Sequence, residues 1–271
     1  MSLAIFEFDF MIRALLAGAL IGMAAPAIGI FIVQRRLSLM GDGIGHVAFA
    51  GVAAGLLFEV SPILLALAFA MVGAVAIELL RSRKTTESDI ALALVFYGGI
   101  AGGVLLLGLG DVSTINLNSY LFGSVLTVSS SDLWVVTGVA TCVVVVTFTL
   151  RKHLFAVAYD EEVARVSGLP VTMLNILVAL MAALAIAATA KVVGILLVAS
   201  MLVLPVAAAQ QLTRSFRATT YASIGLGIAA SVGGLVIAFY ADLFPAATIV
   251  LLSILAFVAA SLLARTKLIG H

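Results

Sequence analysis

The sequence predicts an all-α membrane protein, a polytopic bundle of about nine transmembrane helices, and three observations lead to that class. Of its 271 residues, 64% are hydrophobic and 10% charged, against roughly 45–50% and about 25% in soluble domains. The apolar residues form continuous runs near the ~20 residues that a helix needs to cross a bilayer, not the alternation of a membrane β-barrel. The basic residues gather in every second connection, as they do on the cytoplasmic side of helical membrane proteins. Together these observations exclude a soluble enzyme, a nucleic-acid-binding protein and a receptor with a large ectodomain.

Nine apolar stretches follow in order: 10–33, 43–58, 62–80, 90–109, 133–150, 171–189, 192–209, 218–240 and 245–264. Arg35 and Arg36 follow the first, and Arg81, Arg83 and Lys84 the third. Arg151 and Lys152 follow the fifth, with Arg165 in the same loop; Arg214 and Arg217 follow the seventh, and Arg265 and Lys267 the ninth. These connections hold twelve of the fourteen basic residues, leaving only Arg13 and Lys191 elsewhere. The alternate connections carry Glu7, Asp9, Glu59, Asp111, Asp132 and Asp242. Nine spans with the N-terminus outside and the C-terminus in the cytoplasm satisfy this alternation. The second stretch is short and polar at its start, and an eight-span count follows if it is not a full span.

The segment 116–128 (NLNSYLFGSVLTV) reads as re-entrant or interfacial, and Asn116 and Asn118 there are placed to line an entrance. The N-terminus lacks a basic region and a small-residue cleavage site, so it is expected to be retained. There is no internal repeat and no linker, and residues 1–271 read as one domain. Cys142, the single cysteine, sits in an apolar run, which leaves neither a disulfide framework nor a thiolate metal cluster.

The inner loop 151–170 (RKHLFAVAYDEEVARVSGLP) contains good helix formers from about 159 to 167. Acids lie toward its start and Arg165 toward its end, with Gly168 and Pro170 as stop signals. A short polar helix there is either a solvated connector or a docking helix for a cytoplasmic subunit.

The segment 38–46 (SLMGDGIGH) holds the most informative chemistry. Asp42 and His46 are four residues apart and share one helix face. An acid at the centre of a spanning helix costs about 2.5–3.5 kcal/mol on insertion scales, so such residues face cavities and serve function. A carboxylate oxygen with an imidazole nitrogen suits borderline divalent ions such as zinc, manganese and iron(II). The alternatives are an Asp42–His46 hydrogen bond, or a helix start capped by Asp42. As a metal site the pair is incomplete, and further ligands from elsewhere in the chain or from a symmetry mate are expected. Glu78 is placed to snorkel or to pair with Arg81, and Lys191 to snorkel at the outer boundary. Small-residue pairs at four-residue spacing (Gly18 and Gly22, Gly51 and Gly55, Gly98 and Gly102) read as packing seams. The chain has no Gly-x-x-x-x-Gly-Lys-Ser/Thr run and no His-Glu-x-x-His, so it is expected to be neither an ATPase nor a zincin-type protease.

Four segments resemble the permease subunits of bacterial ABC importers for zinc, manganese or iron(II): 38–51 (SLMGDGIGHVAFAG), 120–126 (YLFGSVL), 159–168 (YDEEVARVSG) and 193–214 (VGILLVASMLVLPVAAAQQLTR). The resemblance covers nearly the whole chain and is most specific in the first and last of these. It implies a homodimer in the bacterial inner membrane, working with cytoplasmic ATPase subunits and an extracytoplasmic metal-binding protein. No tightly bound cofactor is implied, only a transported zinc, manganese or iron ion. Asp42 and His46 become candidate metal ligands. Tyr159, Asp160, Glu161, Glu162, Ala164 and Gly168 fall in the ATPase-coupling segment. Two other readings stay open: a permease for a metal chelate such as a siderophore, and an intramembrane metalloenzyme using Asp42 and His46.

Overall fold

The computed structural model describes residues 8–82, 88–110, 121, 123, 129–189 and 194–269, and among them every regular element is an α-helix. The nine apolar stretches become α1 (Asp9–Gln34), α2 (Met40–Leu57), α3 (Pro62–Ser82), α4 (Ser88–Gly108), α5 (Ser130–Thr149), α8 (Val171–Thr189), α9 (Ile195–Leu212), α10 (Phe216–Ala241) and α11 (Pro245–Ile269). Between α5 and α8 lie two short helices, α6 (Arg151–Tyr159) and α7 (Glu161–Val166). Eight helices are long and apolar enough to cross a bilayer, and α2 is one of them; the shorter apolar run is Val198–Leu212 within α9. Helices α2 and α9, the second and seventh stretches, are each 18 residues long, and α9 begins after Gly194, which takes φ 83°. Lys191, Asn116, Asn118 and the rest of the segment 116–128, apart from residues 121 and 123, lie outside the described residues.

Two groups of helices share a centre. Helix α1 packs on α10, α5, α9 and α8, while α2 packs on α4, α3, α9 and α8. Within their most apolar windows, α1 and α2 are each 72% buried, whereas α4 and α11 are 22% buried. Helices as apolar as α4 that stay uncovered by their own chain face lipid or a partner.

Glycines set the closest approaches. A Cβ on Gly22 of α1 would stand 2.6 Å from the Gly227 carbonyl oxygen of α10, and one on Gly51 would stand 2.5 Å from the Leu65 oxygen of α3. On α4 the seam lies one residue beyond the expected one. Nothing is within 4 Å of a Cβ at Gly98 or Gly102, while Gly99 meets the His46 backbone and Gly103 the Phe49 ring. The run Gly98-Gly99-Ile100-Ala101-Gly102-Gly103 offers two seams of the same spacing, and only the helix rotation selects between them.

The basic ends gather at one end of the bundle. Helix α1 stops in a Schellman turn: Arg36 takes φ 58°, its N–H donates to Val33 O (3.0 Å), and the Leu37 N–H donates to Ile32 O (3.0 Å). That turn leaves Arg35 at the helix end with its guanidinium pointing inward. Glu78 pairs with Arg81 (2.8 Å), as its i,i+3 spacing predicts, and Arg35 reaches Glu78 (3.5 Å) as well. The same end holds the start of α10, beside α6.

Candidate metal path and coupling segment

Asp42 and His46 lie in the first two turns of α2, and both are half-buried. Their helix is narrow on its other faces. Gly41 abuts Ala199 and Leu202 of α9, Gly45 lies against the Ile195 carbonyl of α9, and Gly43 faces Ile77 of α3. The alternating glycines of the segment are therefore contact points for two neighbouring helices. The fourth face carries the acid and the imidazole. Neither local alternative holds: Leu39, not Asp42, occupies the N-cap, and no hydrogen bond joins Asp42 to His46 among the described residues.

That face lines a cleft of ≈ 440 Å³ between α2 and α4, together with Asp89, Phe96 and Tyr97. The Phe96 ring stands edge-on to the imidazole, centroids 4.4 Å apart at 71°, which restricts how the ring can turn. Helix α4 comes this close because Gly99 has no side chain: a Cβ there would lie 2.7 Å from both His46 C and Val47 N.

Asp89 is the functional candidate that sequence reasoning missed. It is an exposed residue in the first turn of α4, just ahead of the apolar stretch, where it counts as a loop charge. No spacing links it to Asp42; the α2–α4 crossing does. Among the described residues, no three His, Cys, Asp or Glu side chains come close enough together to hold a metal ion. Asp42, His46 and Asp89 thus share a cleft without converging on one point.

The short polar helix expected in the loop 151–170 forms as α7. Asp160 caps it, accepting from the N–H groups of Glu162 and Val163 (3.0 Å each). Gly168 ends it in a second Schellman turn, at φ 82°, with N–H bonds from Gly168 to Arg165 O (3.0 Å) and from Leu169 to Ala164 O (3.1 Å). Ala164 is buried and anchors the inner side. Tyr159, Val163 and Val166 are exposed, Val166 at 90%, and Glu162 is exposed beside them. The preceding helix α6 was not expected, since the loop's basic start masks an amphipathic pattern that buries Leu154, Val157 and Ala158.

Glu161 behaves differently from its neighbour. Its carboxylate accepts from Arg35 Nη2 (2.8 Å) and from Asn175 Nδ2 (3.1 Å). With Glu78 and Arg81 this makes, among the described residues, a network of two acids and two bases that ties α7 to α1, α3 and α8. The side chains of Arg35 and Glu78 within it are only 5% and 4% exposed.

Fold and cleft together define a multi-pass helical membrane protein with oxygen and nitrogen donors facing a cavity between two spans. The family model of the ABC 3 transport family matches residues 7–264, and the chain belongs to that family. The manganese import system permease protein ScaB of Streptococcus gordonii is 31% identical over 251 residues, 93% of this chain and 90% of ScaB. The high-affinity zinc uptake system membrane protein ZnuB of Haemophilus influenzae is 28% identical over 262 residues, 96% of this chain and 100% of ZnuB. Among solved structures, PsaBC from Streptococcus pneumoniae in complex with Fab superposes with a TM-score of 0.85 at 28% identity, covering 95% of this chain and 92% of that one.

Proposed function

We propose that this chain is the transmembrane permease of an ATP-driven importer for a divalent transition-metal ion, manganese or zinc. The observation that carries the reading is the cleft in which Asp42 and His46 stand side by side, in a chain whose relatives are named manganese and zinc permeases. An ion entering it exchanges hydration water for a carboxylate oxygen and an imidazole nitrogen, with Asp89 adding negative charge at the mouth. A carboxylate oxygen and an imidazole nitrogen hold such an ion less tightly than thiolates do, which suits a site that must release its cargo. We take the site to be completed by a second copy of the chain, each contributing Asp42 and His46 across a twofold axis. A chelate cargo is less well matched, because a caged metal offers no open positions to these donors. A metalloenzyme needs a third ligand converging with Asp42 and His46, and among the described residues of the chain none does.

Separate cytoplasmic ATPase subunits would dock on the end of α6, through Tyr159, and on the exposed face of α7, through Glu162, Val163 and Val166, in the bacterial inner membrane. The single domain 1–271 then transmits their movement through a continuous set of contacts. Glu161 grips Arg35, Arg35 grips Glu78, and the adjacent Ile77 packs on Gly43 beside Asp42. An extracytoplasmic binding protein would deliver the ion to the opposite end.

The test is uptake of radiolabelled manganese and zinc by vesicles holding the chain with its ATPase, compared with the same metals bound to a siderophore-type chelator. ATP-dependent accumulation of at least one free ion is expected. Uptake of the chelated metal alone would reverse the choice of cargo, and uptake of neither would remove the transport reading.

A further inference from the structure

A second charged cleft lies away from the metal path. It measures ≈ 310 Å³, opens between α6 and the start of α10, and is lined by Arg151, Lys152, Phe155, Ser215, Phe216 and Arg217. An adjoining cleft of ≈ 330 Å³ shares Phe155, Ser215 and Phe216 and adds Arg214. No carboxylate lines either one, and none of the four cations forms an ion pair with a described residue. Ser215 caps α10 there, so the unbonded first-turn N–H groups and the positive end of a 26-residue helix point the same way as the cations.

The surroundings select the anion. The cleft sits where α5 ends and α10 begins, which the distribution of basic residues places at the inner face of the bilayer. From there the two helices run into the membrane, both packed on α1, and meet through the rings of Phe148 and Tyr221, with centroids 6.2 Å apart. Val145 and Tyr221 beside that contact are exposed. A free phosphate would use the cations and leave these exposed apolar side chains uncovered, whereas a lipid meets both.

We propose that this cleft binds the headgroup phosphate of an anionic phospholipid of the inner leaflet, with its acyl chains lying along α5 and α10. Arg151, Lys152 and Arg217 hold the phosphate, the start of α10 adds its amides, and Phe155 and Phe216 mark the boundary between headgroup and chains. The inference rests on the charge-derived orientation and is independent of which metal is carried.

The test uses the purified full chain in detergent, titrated with phosphatidylglycerol, phosphatidylcholine or sodium phosphate, and read by native mass spectrometry and by the shift in Tm. Phosphatidylglycerol should bind and raise Tm, and the other two should do neither. The triple variant R151Q/K152Q/R217Q should lose about fivefold in affinity per residue removed, roughly a hundredfold in all. The equally charged control R36Q/R165Q/R265Q should bind as the unmodified chain does. Retained binding in the cleft variant, an equal loss in the control, or phosphate acting as well as the lipid would each overturn the proposal. So would loss of ATPase association by the cleft variant with lipid binding intact, which would assign the cleft to a protein partner.

Discussion

Gly99→Ala should cost at least about tenfold in metal uptake, while the adjacent Gly98→Ala leaves uptake unchanged. The difference lies in what each added methyl meets. At Gly98 there is nothing within 4 Å, so the change adds a lipid-facing or partner-facing methyl to an already apolar helix. At Gly99 the methyl would stand 2.7 Å from His46 C and Val47 N, and neither is the end of a flexible side chain that can swing away. Helix α4 must back off α2, and overpacking of this kind costs typically 1–3 kcal/mol. That movement carries Phe96 away from the imidazole and Asp89 away from Asp42, so the cleft loses its shape with every candidate ligand still in place. The check is uptake by vesicles containing equal amounts of inserted chain. Equal uptake by the two alanine variants would show that the α2–α4 approach does not shape the path.

Arg35→Ala should be the most destabilising single charge removal in the described structure. It strips Glu78 of one partner, with its side chain 4% exposed, and leaves Glu161 with Asn175 alone. Deleting one side of a fully buried pair costs about 3–5 kcal/mol; here Glu78 keeps Arg81 and the Glu161 side chain is 39% exposed, so the loss should be smaller, about 1–3 kcal/mol. Glu162→Ala, one residue from Glu161 but exposed, should stay within about 0.5 kcal/mol of the unmodified chain. Thermal unfolding of the purified variants measures both. A second readout separates stability from transmission: at a temperature where Arg35→Ala remains folded, ATPase association should persist while uptake falls. Intact uptake at that temperature would mean that the network holds the fold together without carrying motion to α2.

Much of this fold was legible because a bilayer leaves few choices. Each run of about 20 apolar residues had to become a helix, and the alternation of basic connections then ordered the ends. The pair Asp42 and His46 was equally readable, since i and i+4 share a face whatever the helix packs against. So was Glu78 with Arg81. What stayed hidden depends on how helices rotate and cross. Gly98 and Gly99 begin two seams of identical spacing, and no local pattern says which of them faces α2. Asp89 joins Asp42 only through the α2–α4 crossing, and Arg35 meets Glu161 across 126 positions of sequence. Glu161 and Glu162 look alike in the loop, yet one turns in to a buried arginine and the other faces outward. Helix α6 escaped because its Arg-Lys-His start looked like a connector, although Leu154, Val157 and Ala158 already carried helical spacing.

The central claim is that the ion passes between Asp42 and His46. The direct measurement is ATP-driven uptake of manganese and zinc by Asp42→Asn and by His46→Ala, each assembled with its ATPase to the level of the unmodified chain. Asp42→Asn replaces the carboxylate by a neutral, weaker oxygen donor and His46→Ala removes the imidazole, both keeping the helix, and each should reduce uptake by at least about tenfold, since even residues that only orient metal ligands cost 10–100-fold when changed. Uptake at the unmodified rate in both variants would place the path elsewhere in the bundle.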